Sequence, residues 1–255
     1  MVAGAGLILT SHSGGGSILT VPILVYILDV DPVLATAYSL FVVGASAAVG
    51  AIRNAQKGMI DFRTGIVFAI PAFISVYLTR KFVVPAIPEH LFKIGDFDVT
   101  RNIAIMLFFA IIMLLASISM IRGRKDNTTV DQKVEYNYPM IIIEGLGVGF
   151  LTGIVGAGGG FLIIPALVLL AKLPMKKAVA TSLLIIAVKS LIGFLGDVQN
   201  LEIEWAFLSV FTAISIVGIF VGIYLNKFID GNKLKKGFGY FVLVMGVYIV
   251  LKELL

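Results

Sequence analysis

The sequence predicts an all-α integral membrane protein of two inverted-topology repeats, each a glycine-broken re-entrant helix hairpin followed by three transmembrane helices. Three observations predict it. Apolar stretches of crossing length recur along the chain, two glycine-rich clusters interrupt otherwise apolar segments, and the second half repeats the first with its connector charges reversed.

Of the 255 residues, 59% are hydrophobic and only 14% are charged. The mean hydropathy of +1.03 lies far above that of soluble domains. A lipid bilayer is the solvent that fits. Without cysteine there is no disulfide framework, thiol nucleophile or thiolate metal site, and His12 and His90 alone do not make an imidazole-rich metal centre. No metal or other cofactor is expected. The net charge of +5 resides in short connectors between apolar runs, where membrane topology accounts for it, so no nucleic-acid partner is expected. Residues 1–12 lack a basic n-region and lead into a motif repeated later, so they read as part of the fold.

Taken in order, the first apolar region, 1–28, is broken by Ser13-Gly-Gly-Gly-Ser17, and 139–171 is broken by Gly156-Ala-Gly-Gly-Gly160. Glycine adds backbone entropy and permits turns, so each region reads as two half-helices joined by a loop. Crossing helices are predicted near 33–51, 64–79, 102–121, 176–195, 205–226 and 237–251, judged against a hydrocarbon core of about 30 Å. Polar interruptions fall at 52–63, 80–101, 122–138, 196–204 and 227–236. The most polar, beginning Arg122-Gly-Arg-Lys-Asp, divides the chain into a first membrane repeat (1–121), a linker (122–138) and a second repeat (139–255).

The repeat is visible without gaps. Placing Ser13 on Gly156, an offset of 143, brings Gly14, Gly15, Gly16 and Pro22 onto Ala157, Gly158, Gly159 and Pro165. Ala35, Ala37, Ser39, Leu40 and Gly50 then fall on Ala178, Ala180, Ser182, Leu183 and Gly193. Identity at glycine, proline and small residues is harder to obtain by chance than Leu on Leu. The connectors alternate in sign: Asp29-Val-Asp31 matches the lysine-bearing 172–177, whereas Arg53, Lys57 and Arg63 match a stretch with Asp197, Glu202 and Glu204. By the positive-inside rule the halves have opposite orientations. The connectors 53–63, 122–138, 172–177 and 227–236 are expected on the cytoplasmic side, with 29–31, 80–101 and 197–204 opposite. This is an architecture common among secondary transporters.

Irregular backbone at membrane depth is tolerated only where protein or a water-filled cavity satisfies its polar groups, so the two breaks imply a polar interior. Each opens a short apolar helix whose first amides are unpaired and whose dipole is positive there, a place that binds anions without a cationic side chain. Gly14, Gly15, Gly16 and Ser17, with Gly158, Gly159 and Gly160, are therefore candidate substrate contacts. Tight turns or close helix contacts would also use such glycines. Pro22 and Pro165 remove a backbone donor and kink or shorten the half-helices, a structural role.

Lys189 lies deep in a predicted crossing helix, about 18 Å along the axis from Lys177, where a charge is costly enough to mark function. It is a candidate for anion binding or proton carriage; the competing reading has it snorkel toward Asp197, about 12 Å along the helix. Ser182, Lys189 and Gly193 share one helical face, as do Ser39, Ser46 and Gly50 in the first half, so Ser39 and Ser182 join the candidates. His12, just before the first break, is a second candidate for proton coupling. Glu144, an acid within an apolar run, reads as an interfacial residue.

No ATP-binding loop is present, and Gly145-Leu-Gly147-Val-Gly149 has neither the spacing nor the strand context of a dinucleotide site. Ser11, His12 and Ser13 are adjacent in sequence, which rarely gives a serine-protease geometry, and the second repeat has no equivalent. No enzymatic activity is expected.

The paired segments Ser13-Gly-Gly-Gly-Ser-Ile-Leu-Thr-Val-Pro22 and Gly156-Ala-Gly-Gly-Gly-Phe-Leu-Ile-Ile-Pro165 resemble the sulfite exporter TauE/SafE family of membrane permeases. Ala35-Thr-Ala-Tyr-Ser39 and Ala178-Val-Ala-Thr-Ser182 fit it as well. The resemblance implies a multi-pass cell-membrane carrier exporting sulfite, sulfonates, thiosulfate or related organic anions, with protons as the coupling partner. The first motif departs from Gly-x-Gly-Gly-Gly at Ser13 and Ser17, which sets the two half-sites apart. A passive anion channel using the same helix ends is the alternative.

Overall fold

A computed structural model describes residues 17–94, 97–122, 138–156, 158–169, 173–225 and 231–254. The described chain begins with α1 (Ser17–Tyr26), α2 (Pro32–Gln56) and α3 (Phe62–Leu78). Helix α3 continues through a π-helical turn, Thr79–Val83, and a last turn, Val84–Ala86. A two-stranded hairpin, β1 (His90–Ile94) and β2 (Phe97–Thr100), precedes α4 (Arg101–Arg122). Beyond residue 137 follow α5 (Tyr138–Val155), α6 (Gly160–Leu169), α7 (Met175–Asp197), α8 (Trp205–Leu225) and α9 (Gly231–Leu254).

Local sequence explains the boundaries. Asp31 caps α2 by accepting from the Val33 and Leu34 amides at 2.9 and 3.2 Å, with Pro32 in the first turn. Lys57 and the left-handed Gly58 (φ 64) end that helix, and Asp61 caps α3 through the Thr64 amide at 2.9 Å. The hairpin is an addition to the all-α expectation. It occupies part of the predicted polar interruption at 80–101, where the backbone is free to pair outside the helical bundle.

Among the described residues, Pro32–Gln56, Phe62–Ala86, Arg101–Ile118 and Lys176–Asp197 are long and apolar enough to cross a membrane. Helices α8 and α9, at 21 and 24 residues, also have crossing length. The bundle turns apolar side chains outward: Ile66, Ile70, Ile74 and Leu78 form an exposed stripe along α3 at helical spacing. With lipid as solvent such a stripe is satisfied rather than anomalous, and the chain is a multi-pass membrane protein. By contrast the described parts of α1 and α6 have ten residues each, about 15 Å, against a hydrocarbon core of about 30 Å.

Helices α2 and α7 form the centre. Gly44 meets Leu191 and Gly50 meets Leu183, so these sequence-matched helices run antiparallel. Helix α5 lies parallel to α3, with Gly145 on Phe68 and Pro71, Gly149 on Ala72 and Ser75, and Gly153 on Val76 and Thr79. A Cβ at Gly145 would lie 2.8 Å from Pro71 Cγ, so this contact needs glycine. Ile18, Val21, Met106, Phe109, Met113, Val242 and Ile249 bury α1 against α4 and α9.

Hydrogen bonds gather the connectors at two ends. The Asp61 amide donates to Thr181 Oγ1 at 3.0 Å, joining the α2–α3 connector to the start of α7. At the other end Asn102 donates to Asp31 at 2.8 Å, and the Glu204 amide donates to the Tyr38 hydroxyl at 2.9 Å.

Candidate functional site

The site is built around the turn between α5 and α6. Gly156 (φ 72) and Gly159 (φ 70) both lie in the left-handed region, where a side chain is strained. Packing reinforces the choice: a Cβ on Gly156 would lie 2.6 Å from the Thr36 Cα, and one on Gly159 would strike the Thr152 methyl at 2.5 Å. Because Gly159 lies against Val148 and Thr152 of α5, the chain doubles back here. The Gly159 carbonyl then accepts the first α6 bonds, from Leu162 and Ile163 at 2.9 and 3.0 Å. The amides that open α6 are thereby left without helical partners beside the turn.

Lys189 comes to this turn from α7. Its side chain is fully buried, and Nζ donates to Thr152 Oγ1 at 2.7 Å. It lies 3.4 Å from the position a Gly159 Cβ would take. Thr152 in turn donates to the Val148 carbonyl at 2.6 Å, which fixes its hydroxyl as the acceptor. An ammonium has three donors, and among the described residues this one engages a single acceptor and no carboxylate. A positive side chain and a positive helix end therefore share one buried location.

Arg80 is the second buried cation, placed by the π-helical turn after α3. Its Nη1 donates to Thr36 Oγ1 at 3.0 Å and reaches Asp197 Oδ1 at 3.5 Å. Arg80 is 0% exposed and Asp197 2%. Gly196 lets α7 approach, since a Cβ there would be 3.1 Å from the Arg80 Cβ. The same Thr36 packs on Gly156, so the two cations bear on opposite ends of one turn: Lys189 directly at Gly159, Arg80 through Thr36 at Gly156.

The sequence-predicted residues divide accordingly. Gly159, between Gly158 and Gly160 in the chain, comes together with Lys189, with Thr152 added by the fold. The Lys189 ammonium is turned to Thr152, and Asp197, its alternative partner in the snorkelling reading, is engaged by Arg80. Ser39 is buried one turn beyond Thr36, its hydroxyl without a partner among the described residues. Ser182 is buried two turns before Lys189, its hydroxyl donating to the Val179 carbonyl at 2.8 Å. Gly50 and Gly193 serve as helix contacts, on Leu183 and on Val76. Pro22 is buried inside α1 and Pro165 lies within α6. Ser17 opens α1, while His12, Gly14, Gly15 and Gly16 lie outside the described residues. Glu144 is half-buried on α5.

Sequence reading missed Arg80, because Arg80-Lys81 resembles the basic end of a helix entering water. The signal was the apolar Phe82-Val83-Val84 that follows, which continues the apolar helix past Arg80 and buries Val84.

The family model for sulfite exporter TauE/SafE matches residues 1–249. A probable membrane transporter protein of Xylella fastidiosa (strain 9a5c) is 28% identical over 254 residues, covering 96% of this chain and 90% of the relative. The probable membrane transporter protein YunE of Bacillus subtilis is 28% identical over 212 residues, covering 76% and 74%. A shorter match, 34% identical over 126 residues, covers 46% of this chain and 47% of the probable membrane transporter protein MJ0441 of Methanocaldococcus jannaschii. No solved structure matches the chain.

Proposed function

The chain belongs to the sulfite exporter TauE/SafE family, and from that premise we propose that it is a secondary transporter exporting a small sulfur-containing or organic anion such as sulfite, a sulfonate or thiosulfate. The anion is held at the Gly158–Gly160 turn by the amides opening α6 and by the Lys189 ammonium. One observation carries this reading: a fully buried lysine donates to a neutral threonine beside a helix N-terminus, with no acid paired to it among the described residues. Such a charge is costly unless an anion visits it.

Transport proceeds by alternating access between two inverted repeats. The antiparallel course of α2 and α7, matched by the sequence repeat, supports this, as does the doubling back of the chain between α5 and α6. The first glycine motif, Gly14 to Gly16 with Ser17, supplies the opposing half-site together with Ser39. Protons drive the cycle through His12 or Lys189, and the basic connectors 53–63 and 172–177 face the cytoplasm.

Thermal stabilisation of the purified protein by a panel of sulfite, thiosulfate, sulfonates and carboxylates identifies the substrate class. Uptake of the stabilising anion into proteoliposomes under an imposed pH gradient then tests the coupling. Failure of every such anion to move under any gradient contradicts the reading, and electrical currents beyond carrier turnover replace it with a channel.

A further inference from the structure

Building on the transporter reading above, we propose that Arg80 is a second contact of the transported anion. It offers Nε and Nη2 as a two-pronged donor to two oxygens of one oxyanion and exchanges with Asp197 as its acceptor.

The unused atoms are specific. Of the five guanidinium N–H donors, those engaged among the described residues belong to Nη1, bonded to Thr36 and Asp197. Nε and Nη2 are buried without a partner among the described residues. These two nitrogens form one edge of the guanidinium plane, with parallel N–H groups spaced for two oxygens on a common atom. An arginine serving only as a structural partner would turn that edge to the carboxylate. Here the contact is single and long, 3.5 Å, and Asp197 Oδ2 is also buried and without a partner among the described residues. Two donor nitrogens and an acceptor oxygen left without partners in a buried pair carry their full desolvation cost, which suits a pair that changes partners.

Position agrees with this role. Thr36, the neutral acceptor for Nη1, packs on Gly156, while Lys189 meets Gly159 at the other end of the same turn. Ser39 adds a buried hydroxyl, unengaged among the described residues, on the next turn of α2. A site with a guanidinium edge and an ammonium selects anions bearing two or more oxygens on one atom over spherical anions.

Calorimetric titration of the detergent-purified full chain with sulfite and with chloride tests the proposal. Asp197→Asn releases Arg80 from its competing charge and is expected to tighten sulfite binding several-fold. Arg80→Met added to Asp197→Asn is expected to weaken sulfite binding roughly 10- to 100-fold relative to Asp197→Asn, leaving chloride nearly unchanged. Arg80→Lys in the otherwise native chain keeps the pair's charges but removes the fork, and the sulfite-to-chloride preference is expected to fall. Should Arg80→Lys and the double variant keep native preference and affinity while Lys189→Met weakens sulfite, Arg80 is structural and the Lys189 site stands. If Lys189→Met also leaves sulfite binding unchanged, or no oxyanion binds the native chain, both readings fall.

Discussion

Replacing Lys189 with methionine should weaken anion affinity without lowering the stability of the unliganded protein, for reasons the structure supplies. The ammonium is fully buried and bonded to Thr152 Oγ1 at 2.7 Å, with no carboxylate partner among the described residues. Methionine retains most of the stem, so little packing is lost, and Thr152 keeps its bond to the Val148 carbonyl. Removing an unpaired buried charge relieves its desolvation, so the unliganded variant should be as stable as the parent or more stable. The same change removes a charged hydrogen bond to the anion and should weaken binding by about 1.5 to 3 kcal/mol, roughly 10- to 100-fold. Thermal unfolding in detergent reads the first effect, and calorimetric titration with the preferred anion reads the second. A Lys189→Met protein that unfolds earlier yet binds with native affinity would refute the argument, because the ammonium would then be a packing element.

The fold makes further predictions. Gly156→Ala should lower stability by about 2 to 4 kcal/mol, because alanine strains a left-handed backbone and strikes Thr36, whereas Gly147→Ala, with open space around it, should cost little in the same unfolding assay. Arg80→Met alone strands Asp197 as a buried unpaired carboxylate and should destabilise by roughly 3 to 5 kcal/mol, much of it recovered by adding Asp197→Asn. Asp31→Ala removes the α2 cap and the acceptor for Asn102 and should cost about 1 kcal/mol, seen as an earlier unfolding transition. Lys57→Cys and Lys176→Cys each place a single thiol in a chain that has none, and an impermeant reagent should label both from the same side of the membrane.

Much of the architecture is legible because lipid leaves little freedom. Apolar runs must be helices when no water is present to satisfy the backbone, so all six predicted crossings correspond to helices of the structure. The turn at Gly156–Gly159 is legible for a related reason: repeated glycines at fixed offsets mark backbone that side chains would obstruct. Lys189 stood out as a charge surrounded by apolar sequence. Its partner Thr152 did not, since a threonine one turn from a helix end gives no signal until the chain doubles back. Arg80 was obscured by its neighbours, because Lys81 and the polar stretch beyond suggested a helix leaving the membrane, while a π-helical turn carries the helix on to Ala86. The hairpin at 90–100 was hidden because its strands are too short and mixed in polarity to separate from a polar connector. Gly50 and Gly193 share a helical face with Ser39 and Ser182, and in the structure both glycines bring helices together, on Leu183 and on Val76.

The central claim is that an oxyanion is carried across the membrane by way of the Lys189 ammonium at the Gly159 turn. Sulfite counterflow in proteoliposomes tests it most directly, comparing the native chain with Lys189→Met at matched protein incorporation. The account predicts saturable counterflow in the native protein and a half-saturating concentration at least tenfold higher in the variant. Native counterflow with the same half-saturating concentration in Lys189→Met would contradict it, as would a native protein that exchanges no oxyanion at all.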